Sequence, residues 1–478
     1  MLMTLINHPT PSFSLIPHGA PQERIILGNV YRNTMPVSLA RVAAIIESTT
    51  DHHVQIVDLR AQDSEYEFEY KTVDLGDRYV LIKRVGAPFE FARQAIENSD
   101  LVGFSNHFTY ESGIVRDLIS YCREVKPEIK IIVGGADAKV RPQFYIGCGA
   151  NLVFRGDVNP SEFSNNDWTT PRVVNEHRHS FEDIAKPAFN KLEPLDRYIN
   201  SHDGPVPKGV STPVGFIYFT RGCPRECDFC ESRRTKFESM NFELALSMID
   251  HYERHGIKTL NFSDDNLLLL KRDYIEKLFS ILYERGFAWE FPNGLEIGRF
   301  AKGDEIDYGM IRALFQSNYD ERKGTHVGAY RLFVPLESFE HRDKYKKLKS
   351  QEITNRIINA ILGQGLREIN FGVVLGPDAT EDSFISIEKG YKEIKAIVGR
   401  YHTKARYSIF HLIPIAFFRG MKTNFHVDEF PEGWNFYFPI YDGHSLTAMQ
   451  LFDRRLAAVR SIDPAVTFGM KTGTYSYA

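Results

Sequence analysis

Cysteine is scarce in this chain. Five in 478 residues cannot build the disulfide framework of a small secreted scaffold. Long apolar runs are also missing. None reaches the roughly 18–20 residues of a membrane span, and the longest, 409–418, is interrupted by His411 and Pro414 and ends at Arg419. The opening residues, MLMTLINHPTPSFSLIPHG, have no basic segment leading into an apolar core, so they do not read as a secretory signal, and a cytoplasmic location is expected. Neither sign of charge is in excess. A net charge of -4 gives no electrostatic reason to expect a nucleic-acid partner. There is no internal repeat and no low-complexity tract. What remains is a globular composition, 43% hydrophobic and 25% charged, in a length that calls for two or three domains.

The hydrophobic pattern alternates strand and helix. A helical stretch at 37–47 precedes a β-branched run at 54–59, and LVGFS at 101–105 precedes a helix at 113–124. In that helix Ile114, Val115, Leu118, Ile119 and Cys122 share one face. KIIV at 130–133 runs into Gly134-Gly135, and 151–155 into Gly156. Strands separated by helices predict a parallel sheet, with ligands beyond the carboxyl ends of its strands. Those ends carry Ser105-Asn106, Gly134-Gly135 and Arg155-Gly156. Residues 161–208 are poor in pattern and read as a linker. From 209 the alternation resumes, with strands at 215–219, 258–262, 289–292, 331–335, 368–375 and 406–414 and helices between them. Six such units suffice for a partial (β/α)6 barrel, whose chemistry belongs at the strand C-termini. Residues 421–478 form a C-terminal extension, and its aromatic stretch 425–439 reads either as a lid or as ordinary packing.

Three of the five cysteines fall in one short loop, Cys223-Pro-Arg-Glu-Cys227-Asp-Phe229-Cys230, just after the first strand of that second array. Structural zinc needs four ligands. No cysteine follows Cys230, and Cys122 belongs to an apolar helix face, so zinc would have to recruit a histidine. A four-iron cubane takes thiolates at its corners, and three on one flexible loop leave one iron open.

The string RGCPRECDFC resembles the signature loop of the radical S-adenosylmethionine (SAM) superfamily, including the aromatic Phe229 before the last cysteine. The resemblance implies that Cys223, Cys227 and Cys230 bind a [4Fe-4S] cluster. Its open iron would chelate SAM, which is then cleaved to a 5′-deoxyadenosyl radical, with electrons from an external donor such as flavodoxin or ferredoxin. It also implies SAM-binding roles for Asp264 or Asp265, in place of the usual Gly-Gly-Glu turn. Further SAM contacts are implied for Glu337 and Ser338, in an ES motif where Phe339 replaces glycine, and for Val374 and Gly376, in a loop against adenine. Pro292-Asn293-Gly294-Leu295 is similar to a turn of the cobalamin-linked branch.

Residues 1–160 resemble, chiefly over 98–158, the Rossmann-like cobalamin-binding domain that precedes many such barrels, although Ala136-Asp137 replaces its Pro-His pair. Ser105, Asn106, Gly134, Gly135, Arg155 and Gly156 are the implied contacts. No histidine ligand to cobalt is expected: Asp51-His52-His53 precedes its strand, and position 56 is isoleucine. The expected fold is therefore α/β, a Rossmann-like cobalamin-binding-type parallel sheet followed by a partial radical SAM barrel and a short extension. The implied function is methyl transfer to an unactivated carbon of a small-molecule or natural-product substrate. Non-methylating radical chemistry, with or without cobalamin, is the second reading, and a non-enzymatic cobalamin or iron–sulfur sensor the third. The absence of further cysteines argues for one cluster.

Overall fold

The computed structural model describes residues 1–20, 24–27, 33–61, 66–164, 168–175, 177–201, 204–227, 229–340, 347–412 and 422–464. The chain divides into two compact units. One comprises Met1–Asn200 together with Phe425–Trp434, and the other Ser201–Asn424 together with the described residues from Asn435 onward.

The first unit is built on a six-stranded, wholly parallel sheet. Its strands are β1 (Leu2–Asn7), β4 (His53–Asp58), β7 (Leu101–Ser105), β8 (Lys130–Gly134), β9 (Leu152–Phe154) and β10 (Arg172–Val174). They lie in the order β10-β9-β8-β7-β1-β4. Helices α1 (Val37–Thr49) and α2 (Ser112–Val125) are among the crossovers. All five apolar positions read onto one face of α2 are buried. Cys122 is one of them, its thiol pushed up to about 12 by burial, which makes it a core residue and not a ligand. The strand order reverses beside β1, which β4 flanks on one side and β7 on the other. In a doubly wound sheet the ligand crevice opens at that switch point.

Several features of this unit differ from the pattern-based expectation. β1 is a central strand, buried on both faces, so it lacks the alternation by which half-exposed strands announce themselves. A separate antiparallel sheet also stands in the unit, formed by β2 (Thr10–Pro17), β3 (Ile25–Leu27), β5 (Glu67–Asp74) and β6 (Arg78–Val85) in the order β3-β2-β6-β5. Within the stretch read as a linker, Arg172–Val174 pairs with β9; three residues are too few to show a period. From the C-terminal extension, Phe425–Trp434 contributes Asp428, which pairs with Arg141 at 2.6 Å, and buried Glu432, which pairs with Lys71 at 3.4 Å.

The second unit holds β11 (Val214–Ile217), β12 (Thr259–Phe262), β13 (Ala288–Phe291), β14 (Ser317–Asp320), β15 (Thr325–Glu337), β16 (Glu368–Leu375) and β17 (Lys404–His411). Six of these run parallel in the order β11-β12-β13-β15-β16-β17, and β14 pairs antiparallel with β15. The crossover helices are α3 (Phe242–Arg254), α4 (Arg272–Glu284), α5 (Tyr308–Phe315), α6 (Gln351–Leu362) and α7 (Glu381–Val398). α8 (Ala448–Ile462) packs on α7. Phe262, Phe279, Trp289 and Phe291 form a buried aromatic cluster with centroid separations of 5.1–5.9 Å. The last strand stops at His411, one residue short of Leu412, and the rest of the expected continuation, 413–414, lies outside the described residues. Among the described residues no helix is long and apolar enough to cross a membrane.

Candidate active site

The cysteine loop leaves β11 and is fastened to the rest of its unit by two adjacent carboxylates beyond β12. Asp264 accepts from the Phe219 and Thr220 amides (2.9 and 2.7 Å) and from the Thr220 hydroxyl (2.7 Å), all through Oδ1. Asp265 accepts from the Gly222 amide at 2.6 Å and the Ser232 hydroxyl at 2.5 Å. Gly222, at φ +81°, allows the Lys236 carbonyl to lie where a side chain would project, and so closes the loop.

Cys223, Cys227 and Cys230 all line one cavity of about 520 Å³. Among the described residues, no three His, Cys, Asp or Glu side chains converge tightly enough to hold a single metal ion. Burial pushes the Cys227 thiol up to about 11, against the pull of Lys347, and raises Cys230. The Asn266 amide reaches Cys223 Sγ at 3.7 Å and Glu296 at 3.0 Å, and Glu296 also binds Arg225.

Of the other residues singled out in this unit, Phe229, Asp264, Asp265, Glu337 and Val374 line the same cavity, as do all four residues of the Pro292–Leu295 turn. Glu337 sits at a register shift in β15 with φ +59°, an uncommon conformation for a side-chain-bearing residue, and pairs with Lys347 at 2.5 Å. The Lys347 ammonium lies 5.5 Å from the centre of the Phe229 ring. Ser338 and Gly376 do not line the cavity. The Ser338 hydroxyl accepts from the Glu340 amide at 3.2 Å, and Glu381 beyond Gly376 pairs with Arg454 at 2.7 Å.

Asp264 has a second distinction. Its Oδ2 is buried without a hydrogen-bond partner, and burial pushes its carboxyl up to about 7 despite the three donors on Oδ1.

Sequence reasoning missed several wall residues: Lys347, Glu296, Phe333, Gly372, Phe410, His411 and Phe436. The last four come from the β16–β17 side of the sheet and the segment after Asn435. β11 and β17 are opposite edges of the sheet. Residues that follow both edges of the sheet line this one cavity.

In the first unit, Ser105 and Asn106 end β7 at the switch point. Asn106 is fully buried. Its amide donates to Tyr145 Oη (2.6 Å) and the Phe108 carbonyl (3.1 Å), while its Oδ1 has no partner. Gly134 ends β8. The space a side chain would take at Gly135 (φ +100°) is filled by the Asn106 backbone, and at Gly156 by the His177 backbone. Chain packing thus accounts for both glycines. Arg155 is exposed, and its guanidinium donates to the Lys139 carbonyl at 3.3 Å. His8, just beyond β1, is buried at the same switch point, with Nδ1 2.7 Å from the Pro9 carbonyl.

No protein-family model matches the chain. Among curated proteins it is 22% identical over 430 residues to cytidylyl-2-hydroxyethylphosphonate methyltransferase of Streptomyces wedmorensis, covering 79% of this chain and 74% of that one. It is 24% identical over 273 residues to an uncharacterised methyltransferase of Pyrococcus horikoshii, covering 54% of each. Among solved structures it resembles the radical S-adenosylmethionine methyltransferase TsrM from Kitasatospora setae, determined with cobalamin and a [4Fe-4S] cluster bound. That match has a TM-score of 0.53 at 13% identity and covers 86% of this chain and 75% of TsrM. The α/β fold with parallel sheets is thus one that a radical SAM methyltransferase also has. All three of these proteins are named as methyltransferases.

Proposed function

We propose that this chain is a cobalamin-dependent radical SAM methyltransferase acting on an unactivated carbon of a small molecule, and that its second unit is a partial barrel closed around the chemistry. The observation that carries the proposal is one cavity whose wall holds three cysteine thiols and, beside them, a buried carboxylate oxygen with no partner. A cavity lined from both edges of the sheet supports the barrel reading, and the methyltransferase relative supports the reaction type.

The residues fit the groups this reading requires. Cys223, Cys227 and Cys230 would hold three corners of a [4Fe-4S] cluster, and loading iron onto buried thiols releases protons. Asn266 donates toward the Cys223 sulfur and Lys347 places a positive charge near Cys227 and Cys230; both stabilise negative charge on that wall. Asp264 Oδ2 would accept an N–H from the amino group of SAM, while Oδ1 keeps the carboxylate fixed on the loop it braces. Glu337, Phe229 and Val374 complete the SAM-facing wall, with Ser338 and Gly376 just beyond it. At the switch point of the first unit, the unpartnered Asn106 Oδ1 is suited to an amide N–H of a corrin, with Ser105, Gly134, Gly135, Arg155 and Gly156 around it. When bound, the cluster and SAM supply a hydrogen-abstracting radical and cobalamin supplies the methyl group. The protein's part is to hold SAM against the loop, shield the cavity from water and present the substrate. Electrons come from an external flavodoxin- or ferredoxin-type donor. Five free cysteines suit a cytoplasmic setting.

Anaerobic reconstitution with and without hydroxocobalamin, followed by product analysis from methyl-labelled SAM, tests the proposal. Methyl transfer gives S-adenosylhomocysteine and 5′-deoxyadenosine in about equal amounts, both dependent on cobalamin. Deoxyadenosine alone, from enzyme that takes up no corrin, would sink it and leave non-methylating radical chemistry.

A further inference from the structure

The second unit holds another hollow, of about 410 Å³, whose wall carries Arg225, Glu296, Arg299 and Lys349. Arg225 and Glu296 also line the cysteine cavity, so the two spaces meet at that ion pair. A volume of this size falls within the roughly 300–1,000 Å³ of small-molecule sites. The proposed function uses neither Arg299 nor Lys349.

Charge around this hollow does not balance. Glu296, its side chain 5% exposed, is the one carboxylate among the described residues that line it. Its Oε1 binds Arg225, and its Oε2 accepts from Arg225 Nε at 3.3 Å and from Asn266 at 3.0 Å. Arg299 lies 3.9 Å from Oε1, too far for a hydrogen bond. The Lys349 ammonium has no hydrogen-bond or ion-pair partner among the described residues. Three cations thus face one carboxylate, and two positive charges are left over. The side chains reach solvent: Arg225 is 29% and Arg299 40% exposed, and Lys349 is half-buried.

The backbone brings the two spare cations together. The Gly298 amide donates to the Lys347 carbonyl at 3.1 Å, and a Cβ at Gly298 would stand 2.5 Å from that oxygen. Glycine therefore lets the 347–349 segment lie against the 297–300 turn, which sets Lys349 on the hollow that Arg299 lines. Two uncompensated charges on separate segments suit a dianion with several acceptor oxygens. A carboxylate brings one negative charge. A phosphate monoester brings about 1.5–2 at pH 7, and its oxygens accept from a guanidinium and an ammonium at once.

We propose that Arg299 and Lys349, with Arg225 at the shared wall, form an anion site for a phosphate group of the substrate, whose remainder extends into the cysteine cavity. This rests on the reading of that cavity as the place of the chemistry. The substrate class it names is a phosphate ester.

The test is equilibrium dialysis of cluster-reconstituted enzyme against phenyl phosphate and phenyl sulfate at fixed ionic strength and about pH 8, where the phosphate is a dianion. The probes share a shape and differ by one negative charge. Wild type should bind phenyl phosphate about tenfold more tightly than phenyl sulfate, and more tightly than inorganic phosphate. Arg299→Gln and Lys349→Gln should each weaken phenyl phosphate about tenfold and phenyl sulfate little, whereas Lys349→Arg should retain most of the affinity. Cluster absorbance shows that each variant is folded. Lys236→Gln removes a cation 82% exposed and outside the hollow, and should change nothing. Equal affinity of wild type for the two phenyl probes, or the same loss in Lys236→Gln, would overturn the inference. So would displacement of phenyl phosphate by SAM, which would give the hollow to the SAM carboxylate. Inorganic phosphate bound as tightly as phenyl phosphate would also overturn it, because the hollow would then hold a free ion. SAM cleavage by the same wild-type sample is read separately. Its failure beside intact phosphate selectivity would discard the proposed function and leave the anion site standing.

Discussion

Two neighbouring carboxylates divide their roles by what each oxygen touches. Asp265 spends both oxygens on the cysteine loop, whereas Asp264 spends one and leaves the other buried without a partner among the described residues. The consequence is measurable in pH. A carboxyl raised to about 7 keeps its proton in the folded protein between roughly pH 4 and 7, where the unfolded chain has lost it. This group's contribution to stability therefore falls as pH rises through that window, and its free carboxylate oxygen becomes available to a ligand only toward the upper end. SAM affinity of the oxidised, cluster-loaded enzyme should rise between pH 6 and 7. The rise should be steeper than in Asp264→Asn by about one proton per SAM bound. At pH 8 the variant should bind SAM more weakly by about 1.5–3 kcal/mol, the range for a hydrogen bond to a charged group. Equal pH slopes in the two proteins would show that Asp264 does not receive SAM.

At the scale of elements, Arg331 ties three adjacent strands of the second sheet together. From β15 it reaches Glu290 on β13 at 2.9 Å and Glu368 on β16 at 2.7 Å, and all but Glu368 are fully or nearly fully buried. Replacing it with methionine keeps the volume and strands the Glu290 charge in the core. The expected cost is about 3–5 kcal/mol in a denaturant titration; a change below 1 kcal/mol would mean the pairs contribute nothing net. The elements themselves were unevenly legible. β16 has the bounds its apolar run predicts, because a long buried strand leaves a continuous hydrophobic stretch. β15 begins six residues before its pattern does: Gly328 lies at φ +96° and the start of the strand pairs back onto β14, a hairpin that periodicity does not encode. β1 and the antiparallel sheet of the first unit left no usable pattern either. The former is interrupted by the buried polar Thr4, and the alternation of β5 breaks at a register shift between Glu69 and Lys71.

At the scale of the whole molecule, the proposed cluster site was legible because the three cysteines that would hold it sit within eight residues. Local spacing is what a sequence states most directly. Lys347 and His411 were illegible for the opposite reason: they lie far from Cys223 in the chain, and only the tertiary fold brings them to a shared wall. The cysteine census yields a prediction at this scale. Anaerobic reconstitution should load about four iron atoms per chain, as for one cluster, and Cys227→Ser should abolish both the cluster absorbance and SAM cleavage. About eight irons per chain, or an intact cluster in the variant, would contradict the single-site reading.

The return of Phe425–Trp434 to the first unit sets the order in which the protein can be completed during synthesis. Domains of a nascent chain ordinarily fold in sequence, the N-terminal one first. Here Arg141 and Lys71 wait for Asp428 and Glu432, which leave the ribosome only after every strand of the second sheet. The first unit is thus begun first and finished late, and a message broken off near codon 424 would release a chain in which neither unit is whole.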